Sequence, residues 1–169
     1  SPVIIKGEVI NQDLHRSGSA SMIIIAPPLF TRYAENISLL HYSDDGTTSI
    51  IVTPQQIYNE FSGGIPDAAA IRNFIKMKWE RGKNTFTPLR YLLLFGDGSY
   101  ENKTRPPLNP SYIPTWQSVN SHIGVLSFTS DDFYGLLDNG EGEADGFLDI
   151  GIGRLPVSDT TEAGNVTRK

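Results

Sequence analysis

Residues 91–98 have the sequence Tyr-Leu-Leu-Leu-Phe-Gly-Asp-Gly, an apolar run that ends at a turn. The apolar side chains are consecutive instead of alternating with polar ones, which is typical of a strand buried on both faces of a sheet. Three other apolar runs are bounded by turn residues in the same way, at 22–26, 48–53 and 147–153. We therefore predict four strands, with the run at 91–98 third in chain order.

Helical patterns separate these strands. Apolar residues recur at three- and four-residue spacing over 30–43 and 67–81, and a shorter helix is predicted at 54–61, where a proline occupies its first position. Ser158 is placed to cap a last helix. This alternation predicts an α/β, flavodoxin-like three-layer sandwich, in which a four-stranded, mostly parallel sheet of order 2-1-3-4 has helices on both faces.

Two regions fall outside the regular alternation. Residues 1–20 are predicted to be a linker, or an extra edge strand at Lys6–Ile10, that follows a preceding domain, and the domain itself is predicted at 21–169. The connection at 97–146 has about 50 residues, far more than a parallel unit needs, and its aromatic residues favour an ordered loop. Long ordered loops in compact domains are usually functional, so we expect the site there.

The composition excludes several classes of function. The net charge is −5 and the basic residues are scattered, so no face for binding nucleic acid is indicated. The absence of cysteine excludes disulfides, thiolate metal sites and a cysteine nucleophile among these residues. No apolar run approaches the roughly 20 residues of a membrane span. The first six residues lack the features of a signal peptide, so we expect an exported parent protein to carry its signal upstream.

The three histidines are His15, His41 and His122. None has a base, a nucleophile or a further metal ligand at a suitable spacing in the sequence. We therefore expect them to have structural or surface roles, and no catalytic dyad is expected within these residues.

Asp97 is predicted to lie at the carboxyl end of the third strand, where it is followed by Gly98, Ser99 and Tyr100. Ligands bind at this edge of open α/β sheets, which makes Asp97 a candidate binding residue. Aspartate at such a position also commonly bonds nearby backbone amides and forms a turn, and the sequence leaves both interpretations open. A phosphate-binding loop and a serine nucleophile are excluded, because neither a G-x-G-x-x-G or Walker pattern nor a G-x-S-x-G pattern is present here.

Carboxylates are concentrated in the glycine-rich stretch 138–146. The candidate ligands for calcium in this stretch are Asp138, Glu141, Glu143 and Asp145. Calcium takes 6–8 oxygen ligands, which such a loop can supply, although the EF-hand spacing is absent. A solvated acidic turn is the competing interpretation.

Several stretches, in the same order along the chain, resemble gingipain-type cysteine peptidases. They are the third strand at 91–98, the Thr-Ser-Asp-Asp-Phe-Tyr-Gly element at 129–135 and the Asp-Ile-Gly-Ile-Gly-Arg-Leu-Pro-Val segment at 149–157. The segments at 52–64 and 67–78 are similar to one branch of this family in particular, the surface sortases of the type IX secretion system of Bacteroidetes. The resemblance covers roughly residues 20–169, nearly the whole chain.

The resemblance implies a caspase-like fold of two side-by-side α/β subdomains, of which 21–169 would be the first. The catalytic histidine and cysteine of the family come later in the chain, so no catalytic residue is assigned here. The expected roles are to pack against the second subdomain and to shape a cleft for a peptide substrate. The loop residues that are candidates for this cleft are Asp97, Ser99, Tyr100, Trp116, Asp131, Asp132 and Tyr134. No cofactor is implied except structural calcium, which gingipains bind.

The resemblance also implies a cellular role for the parent protein. It would be exported to the bacterial outer membrane or cell surface, where it would cleave C-terminal sorting signals from secreted proteins. A competing hypothesis, based on the aromatic loop, is a catalytically inactive α/β module that binds a protein partner. A flavodoxin-like domain with a small ligand is disfavoured because the sequence has no phosphate loop.

Overall fold

A four-stranded parallel sheet forms the centre of the computed structural model, which describes residues 11–100, 112–119, 123–142 and 146–168. Its strands are β1 (Met22–Ile25), β2 (Ser49–Val52), β3 (Tyr91–Phe95) and β6 (Gly151–Leu155), in the order β2-β1-β3-β6. A separate antiparallel pair is formed by β4 (Trp116–Gln117) and β5 (Thr129–Ser130). The parallel sheet has four strands, of which β6 is the last in the chain, so its order is the predicted 2-1-3-4 and the predicted α/β fold is confirmed.

Helices cover both faces of this sheet. They are α1 (Thr31–Asp45), α2 (Pro54–Phe61), α3 (Ala68–Gly82) and α4 (Thr160–Val166), with short 3₁₀-helices at Pro28–Phe30 and Asp132–Tyr134. Successive residues of β1 lie in different apolar clusters: Ile23 and Ile25 pack with α2 and α3, whereas Ile24 packs with α1 and α4. Burial on both faces explains why β1 has consecutive apolar residues.

Local sequence signals start α2 and α3 as predicted. At α2, the Gln56 amide donates to the Thr53 hydroxyl at 3.2 Å, and the Thr53 amide donates to the Gln56 side chain at 2.8 Å. At α3, the Ala69 amide donates to the Asp67 carboxylate at 2.8 Å. Each of these caps satisfies helix-end amides and contributes about 1 kcal/mol to stability.

The predicted cap of α4 is wrong by one residue. Asp159, and not Ser158, is the N-cap, and its carboxylate accepts hydrogen bonds from the amides of Thr161 and Glu162 at 2.7 and 2.9 Å. The Ser158 hydroxyl instead donates to the Glu162 carboxylate at 2.8 Å. The charged acceptor thus takes the helix amides, and the neutral hydroxyl bonds the side chain in the first turn.

The fourth strand of the sheet also begins later than predicted, at Gly151 instead of Phe147. The segment before it is held by the acidic turn: the Asp149 carboxylate accepts the Leu137 amide at 2.9 Å, and the Asp149 amide donates to the Gly135 carbonyl at 2.9 Å. Phe147 is consequently 93% exposed, although it extends the apolar run in the sequence.

The segment 11–20 has no regular strand and packs on α2 and α3. Lys78 of α3 is only 5% exposed and donates to the Ser17 carbonyl at 2.6 Å. The Glu60 carboxylate of α2 accepts the Leu14 amide at 2.8 Å. The predicted strand at Lys6–Ile10 lies outside the described residues, so only the later half of the predicted linker has a described position.

Candidate functional site

Arg154 joins the parts of the chain that meet at the carboxyl ends of β3 and β6. Its guanidinium makes a bidentate ion pair with Asp131, in which Nε and Nη2 each lie 2.7 Å from a carboxylate oxygen. Nη1 also donates to the carbonyls of Gly96 at 2.9 Å and Ile113 at 3.2 Å. The Arg154 and Asp131 side chains are 12% and 23% exposed, so each charge depends on the other for compensation.

Asp97 forms the turn that follows β3. Its carboxylate accepts the Gly98 amide at 2.8 Å, and its carbonyl accepts the amides of Tyr112 at 2.9 Å and Ile113 at 3.2 Å. Its own amide donates to the Val157 carbonyl at 3.0 Å. The geometry is that of the turn-forming aspartate, one of the two interpretations of the sequence. A role for Asp97 in substrate recognition stays a prediction.

Gly98 leaves no space for a side chain in this turn. A Cβ atom at this position would lie 2.9 Å from Cγ2 of Thr115 and 3.0 Å from both Nη1 of Arg154 and the carbonyl oxygen of Ile113. The turn can therefore pass directly over the guanidinium because the residue is glycine.

Ser99 and Tyr100 continue from this turn to the β4–β5 pair. The Ser99 carbonyl accepts the Thr115 hydroxyl at 3.2 Å, and the Gln117 side-chain amide donates to the Tyr100 carbonyl. The Tyr100 hydroxyl lies 2.7 Å from the Ser127 hydroxyl. These bonds hold the predicted candidates Ser99 and Tyr100 beside the β4–β5 pair and its connection.

A cleft of about 290 Å³ opens beside the β4–β5 pair. Its walls are formed by Trp116, Phe128, Thr129, Ser130, Asp132, Leu136, Gly146 and Leu148. Two of the predicted candidates, Trp116 and Asp132, therefore lie in one wall. Phe128 and Leu148 keep 45% and 48% of their surface exposed, so apolar surface and a carboxylate face the same opening. This combination is typical of ligand-binding clefts.

Tyr134 and Asp131, two further candidates, lie behind the cleft wall. Tyr134 is fully buried, and its hydroxyl donates to the Pro114 carbonyl. Burial raises the pKa of the Tyr134 phenol well above its usual range, so the phenol stays protonated and available as a donor. Its ring meets Phe133, which in turn stacks on Trp116 with ring centroids 5.6 Å apart. Tyr134 thus supports the cleft residue Trp116 from the protein interior through Phe133.

The acidic turn brings three carboxylates together. One oxygen each of Asp138, Glu141 and Asp149 lies within 4.8 Å of the others. The Arg72 guanidinium donates to the carbonyls of Leu136 at 2.8 Å and Glu141 at 2.9 Å, and so holds the turn against α3. Oxygen-only donors suit a hard cation such as calcium. The other two predicted ligands, Glu143 and Asp145, lie outside the described residues.

The structure describes two of the three histidines, His15 and His41. His15 stacks on Phe61 with ring centroids 4.9 Å apart, and its Nε2 atom lies 3.9 Å from a Glu60 oxygen. His41 lies on α1 beside a shallow groove that Leu92 and Gly151 also line. In the described part of the chain neither imidazole belongs to a constellation of nucleophile and base, and the sequence has no cysteine.

Two arginines of this region have roles that the sequence analysis missed. Arg154 follows the apolar run that predicts the fourth strand, and a charge within such a run needs a partner, which is the signal that predicts an ion pair. Arg72 has no comparable signal, because a basic residue on an amphipathic helix is usually solvated.

Within the described ranges, no helix has the length and apolar character needed to cross a bilayer.

Comparisons with known proteins agree with this geometry. Residues 15–169 match the sequence profile described as Peptidase family C25. No curated protein matches the sequence. Among solved structures, the chain is similar to dimeric latent PorU from Porphyromonas gingivalis, with a TM-score of 0.83 and 32% identity. That similarity covers 96% of this chain and 16% of the PorU chain, so the chain spans only a small part of its relative.

A second solved structure supports the fold alone. It is a complex of the pro- and mature domains of RgpB from Porphyromonas gingivalis, with a TM-score of 0.56 and 20% identity. The similarity covers 89% of this chain and 28% of the RgpB chain. The family profile and the PorU similarity confirm the predicted resemblance to gingipain-type peptidases, and the two solved structures confirm the predicted fold.

Proposed function

The chain belongs to peptidase family C25, and from this premise we propose that it is the non-catalytic first subdomain of a gingipain-like cysteine peptidase. The observation that carries the proposal is the family match over residues 15–169 in a sequence without cysteine. A cysteine peptidase needs a thiolate nucleophile and a nearby base. The nucleophile of such a parent therefore comes from outside these residues, and the 16% coverage of PorU is compatible with that.

The second subdomain of the parent is proposed to pack at the outer edge of β6. In the described residues β6 pairs with β3 on one side, and its other side is the end of the sheet order. Gly151 and Gly153 are exposed on this strand and carry no side chains that would keep a neighbouring backbone away. An uncovered strand edge of this kind pairs readily with another strand.

The wall formed by Trp116 and Asp132 is proposed to be part of the substrate cleft of the parent. The apolar surface and the carboxylate that face the opening support this role. Asp97, Ser99 and Tyr100 would bound the same region from the neighbouring turn. The Arg154–Asp131 ion pair would keep this wall in position during catalysis, because it bonds the turn, the wall and β6 at one point.

The parent protein is further proposed to be exported to the outer membrane or cell surface and to cleave C-terminal sorting signals of secreted proteins. The 32% identity to PorU supports this narrower assignment, because the sequence resembles the sortase branch of the family. Transfer of the cargo to a lipopolysaccharide-type acceptor through the acyl-enzyme belongs to the same proposal.

Hydrolysis assays on two products of the same gene test the proposed function. One product is the 169-residue chain, and the other continues through the second subdomain. We expect the chain to cleave no peptide, whereas the longer product hydrolyses peptides and loses this activity after thiol alkylation. Hydrolysis by the pure chain, or alkylation-resistant hydrolysis by the longer product, would contradict the proposal.

Calcium is proposed to bind the acidic turn through Asp138, Glu141 and Asp149. The mutual distances of at most 4.8 Å between their oxygens support this, since one cation can contact all three. A ligand that binds only the native state stabilises it by about 2.7 kcal/mol at one hundred times its Kd. We expect EGTA to lower the melting temperature, and Glu141→Gln to remove the difference between calcium and EGTA. Identical melting of the unaltered chain in both solutions would exclude the ion.

A catalytically inactive binding module is the second candidate function. It is favoured by Val125, in the connection between β4 and β5, and by Phe147, between the cleft residues Gly146 and Leu148, which are 92% and 93% exposed. Exposed apolar surface of this kind commonly marks a partner interface. A longer gene product that binds peptides but never hydrolyses them would favour this second candidate.

A further inference from the structure

The strand β5 has an outer edge that faces away from β4. The Ser118 amide donates to the Phe128 carbonyl at 3.1 Å, and the register pairs Gln117 with Thr129. Hydrogen-bonded and non-hydrogen-bonded pairs alternate along an antiparallel ladder, so Gln117 and Thr129 form a non-hydrogen-bonded pair. The backbone amide and carbonyl of Thr129 therefore point to the outer edge of β5.

Apolar walls flank this edge. Thr129 lines the cleft of about 290 Å³, together with Trp116 and Phe128 on the β4–β5 pair and Leu148 on the segment before β6. Leu148 is 48% exposed, and its neighbour Phe147 is 93% exposed. A strand laid along β5 would cover this surface and place one of its side chains in the cleft.

Carboxylates lie at the mouth of the cleft, and Arg72 bonds the backbone carbonyl of the wall residue Leu136. Asp132 lies in the wall, and the Glu141 carboxylate packs against Gly146, which is another wall residue. The nearby Asp131 is compensated by Arg154, whereas Asp132 takes part in none of the ion pairs of the described residues. A basic side chain on the occupant would therefore find an uncompensated carboxylate at this position.

We propose that the cleft binds an extended segment of a second polypeptide, which adds to β5 as a third strand. The segment places an apolar side chain between Trp116 and Leu148 and a basic side chain beside Asp132. Backbone bonds to Thr129 give affinity with little sequence selectivity, and the cleft and the carboxylate supply the selectivity. This inference rests on the proposed function only in that the partner is a polypeptide, because binding needs no catalytic residue.

Tryptophan fluorescence of the 169-residue chain tests this inference. The sequence has two tryptophans, so Trp79→Phe leaves Trp116 in the cleft wall as the single reporter. The probe is the blocked peptide acetyl-Lys-Thr-Ile-Thr-Val-Thr-Lys-amide, which has apolar residues on one face and lysines at its ends. A second probe has the same sequence with its three central amides N-methylated. We expect saturable binding of the first probe and about tenfold weaker binding of the second, since the backbone bonds are lost.

Substitutions at the edge and in the cleft locate the binding. Thr129→Pro removes the outward-facing amide without removing a bond to β4, and we expect it to weaken binding about tenfold. Leu148→Gln alters the exposed wall and is expected to weaken binding to a similar extent even where the proline variant does not fold. Val166→Gln is the matched control, because Val166 is 42% exposed on α4, and it should leave binding unchanged.

Several results would overturn the inference. These are equal binding of the two probes, no saturable signal, and unchanged binding in the folded variants. A signal that changes with protein concentration in the absence of peptide would identify a second copy of the chain as the occupant, and would also overturn it. Failure of this test together with alkylation-sensitive hydrolysis by the longer gene product would reject only the third strand. The proposed function would then stand.

Discussion

Arg154 and Lys78 are both largely withdrawn from water, but their charges are satisfied in different ways. Arg154, at the carboxyl end of the sheet, is paired with the carboxylate of Asp131 and also bonds carbonyls. Lys78, under the segment 11–20, donates to the carbonyl and hydroxyl of Ser17 and to the Gly18 carbonyl, which are all neutral. Burial lowers the pKa of Lys78, and the neighbouring positive charge of Arg81 lowers it further.

The difference shows how firmly each loop is held. Removal of Arg154 would leave a second charge, Asp131, in a partly buried position without compensation, which is the costly way to break an ion pair. Removal of the Lys78 charge under segment 11–20 leaves the neutral groups of Ser17 and Gly18 close to the surface, and water can bond these. The cleft wall is therefore expected to be the rigid region and the amino-terminal segment the more easily released one.

The largest effect is expected for Arg154→Met, which keeps the apolar stem and removes the charge. The variant should lose up to about 3–5 kcal/mol of unfolding free energy, because Asp131 remains partly buried without its partner. Urea unfolding followed by fluorescence measures this loss.

Arg16→Met is the matched control. Its ion pair with Asp13 has a distance of 3.3 Å, and its side chain is 90% exposed, so less than about 1 kcal/mol should be lost. Equal losses for the two arginine variants would show that the buried pair does not hold the cleft wall.

A smaller effect is expected for Gly98→Ala in the same region. The new Cβ would lie 2.9 Å from the Thr115 side chain and 3.0 Å from the Arg154 guanidinium, so the turn must shift. Overpacking of this kind costs about 1–3 kcal/mol. Gly124→Ala has nothing within 4 Å of its Cβ and should change the unfolding free energy by less than about 0.5 kcal/mol. If both variants melt together, the turn is looser than the structure indicates.

The smallest effect is expected at Glu60, which holds the segment 11–20. Burial raises the pKa of the Glu60 carboxyl, but hydrogen bonds from Leu14, Gln12 and His15 outweigh burial and lower that pKa below its usual value of 4.5. Stability from a lowered carboxyl pKa is present above the unfolded pKa and is lost as the pH falls through the folded pKa. Glu60→Gln should therefore cost about 1 kcal/mol near neutral pH and progressively less as the pH falls below the usual carboxyl pKa.

Urea unfolding at several pH values measures how the difference in unfolding free energy between the unaltered chain and Glu60→Gln decreases as the pH falls. Glu80→Gln, at an exposed position on α3, serves as the control and should follow the unaltered chain throughout. A gap between the Glu60→Gln variant and the unaltered chain that stays constant from neutral to acid pH would exclude the Glu60 carboxylate as the acid-sensitive anchor.

The sequence predicts the sheet well because burial on both faces leaves a direct pattern, the consecutive apolar residues at 22–26 and 91–98. The helix starts at Thr53 and Asp67 are also predictable from the sequence, because an N-cap bonds amides only two or three residues away. Phe147 shows the limit of pattern alone. It is as apolar as a strand residue, but a contact between Asp149 and Leu137 keeps its segment out of the sheet.

The site is predictable only in its location. The carboxyl ends of the strands are where open α/β sheets bind ligands, so the region of Asp97 could be identified from the predicted order of the strands alone. The Arg154–Asp131 pair joins residues 23 positions apart, and no local pattern selects this carboxylate from the acidic residues around it. Trp116 and Leu148 likewise come together in one cleft through long-range packing, which no local pattern predicts.

The most direct test of the central claim is to produce the downstream part of the parent domain without residues 1–169. Its kcat/KM for a peptide would be measured alone and with the purified 169-residue chain added. The expected result is little or no hydrolysis alone and a saturable rise when the chain is added, because the chain supplies the scaffold and one wall of the cleft. Full activity of the downstream part alone, unchanged by the chain, would contradict the claim.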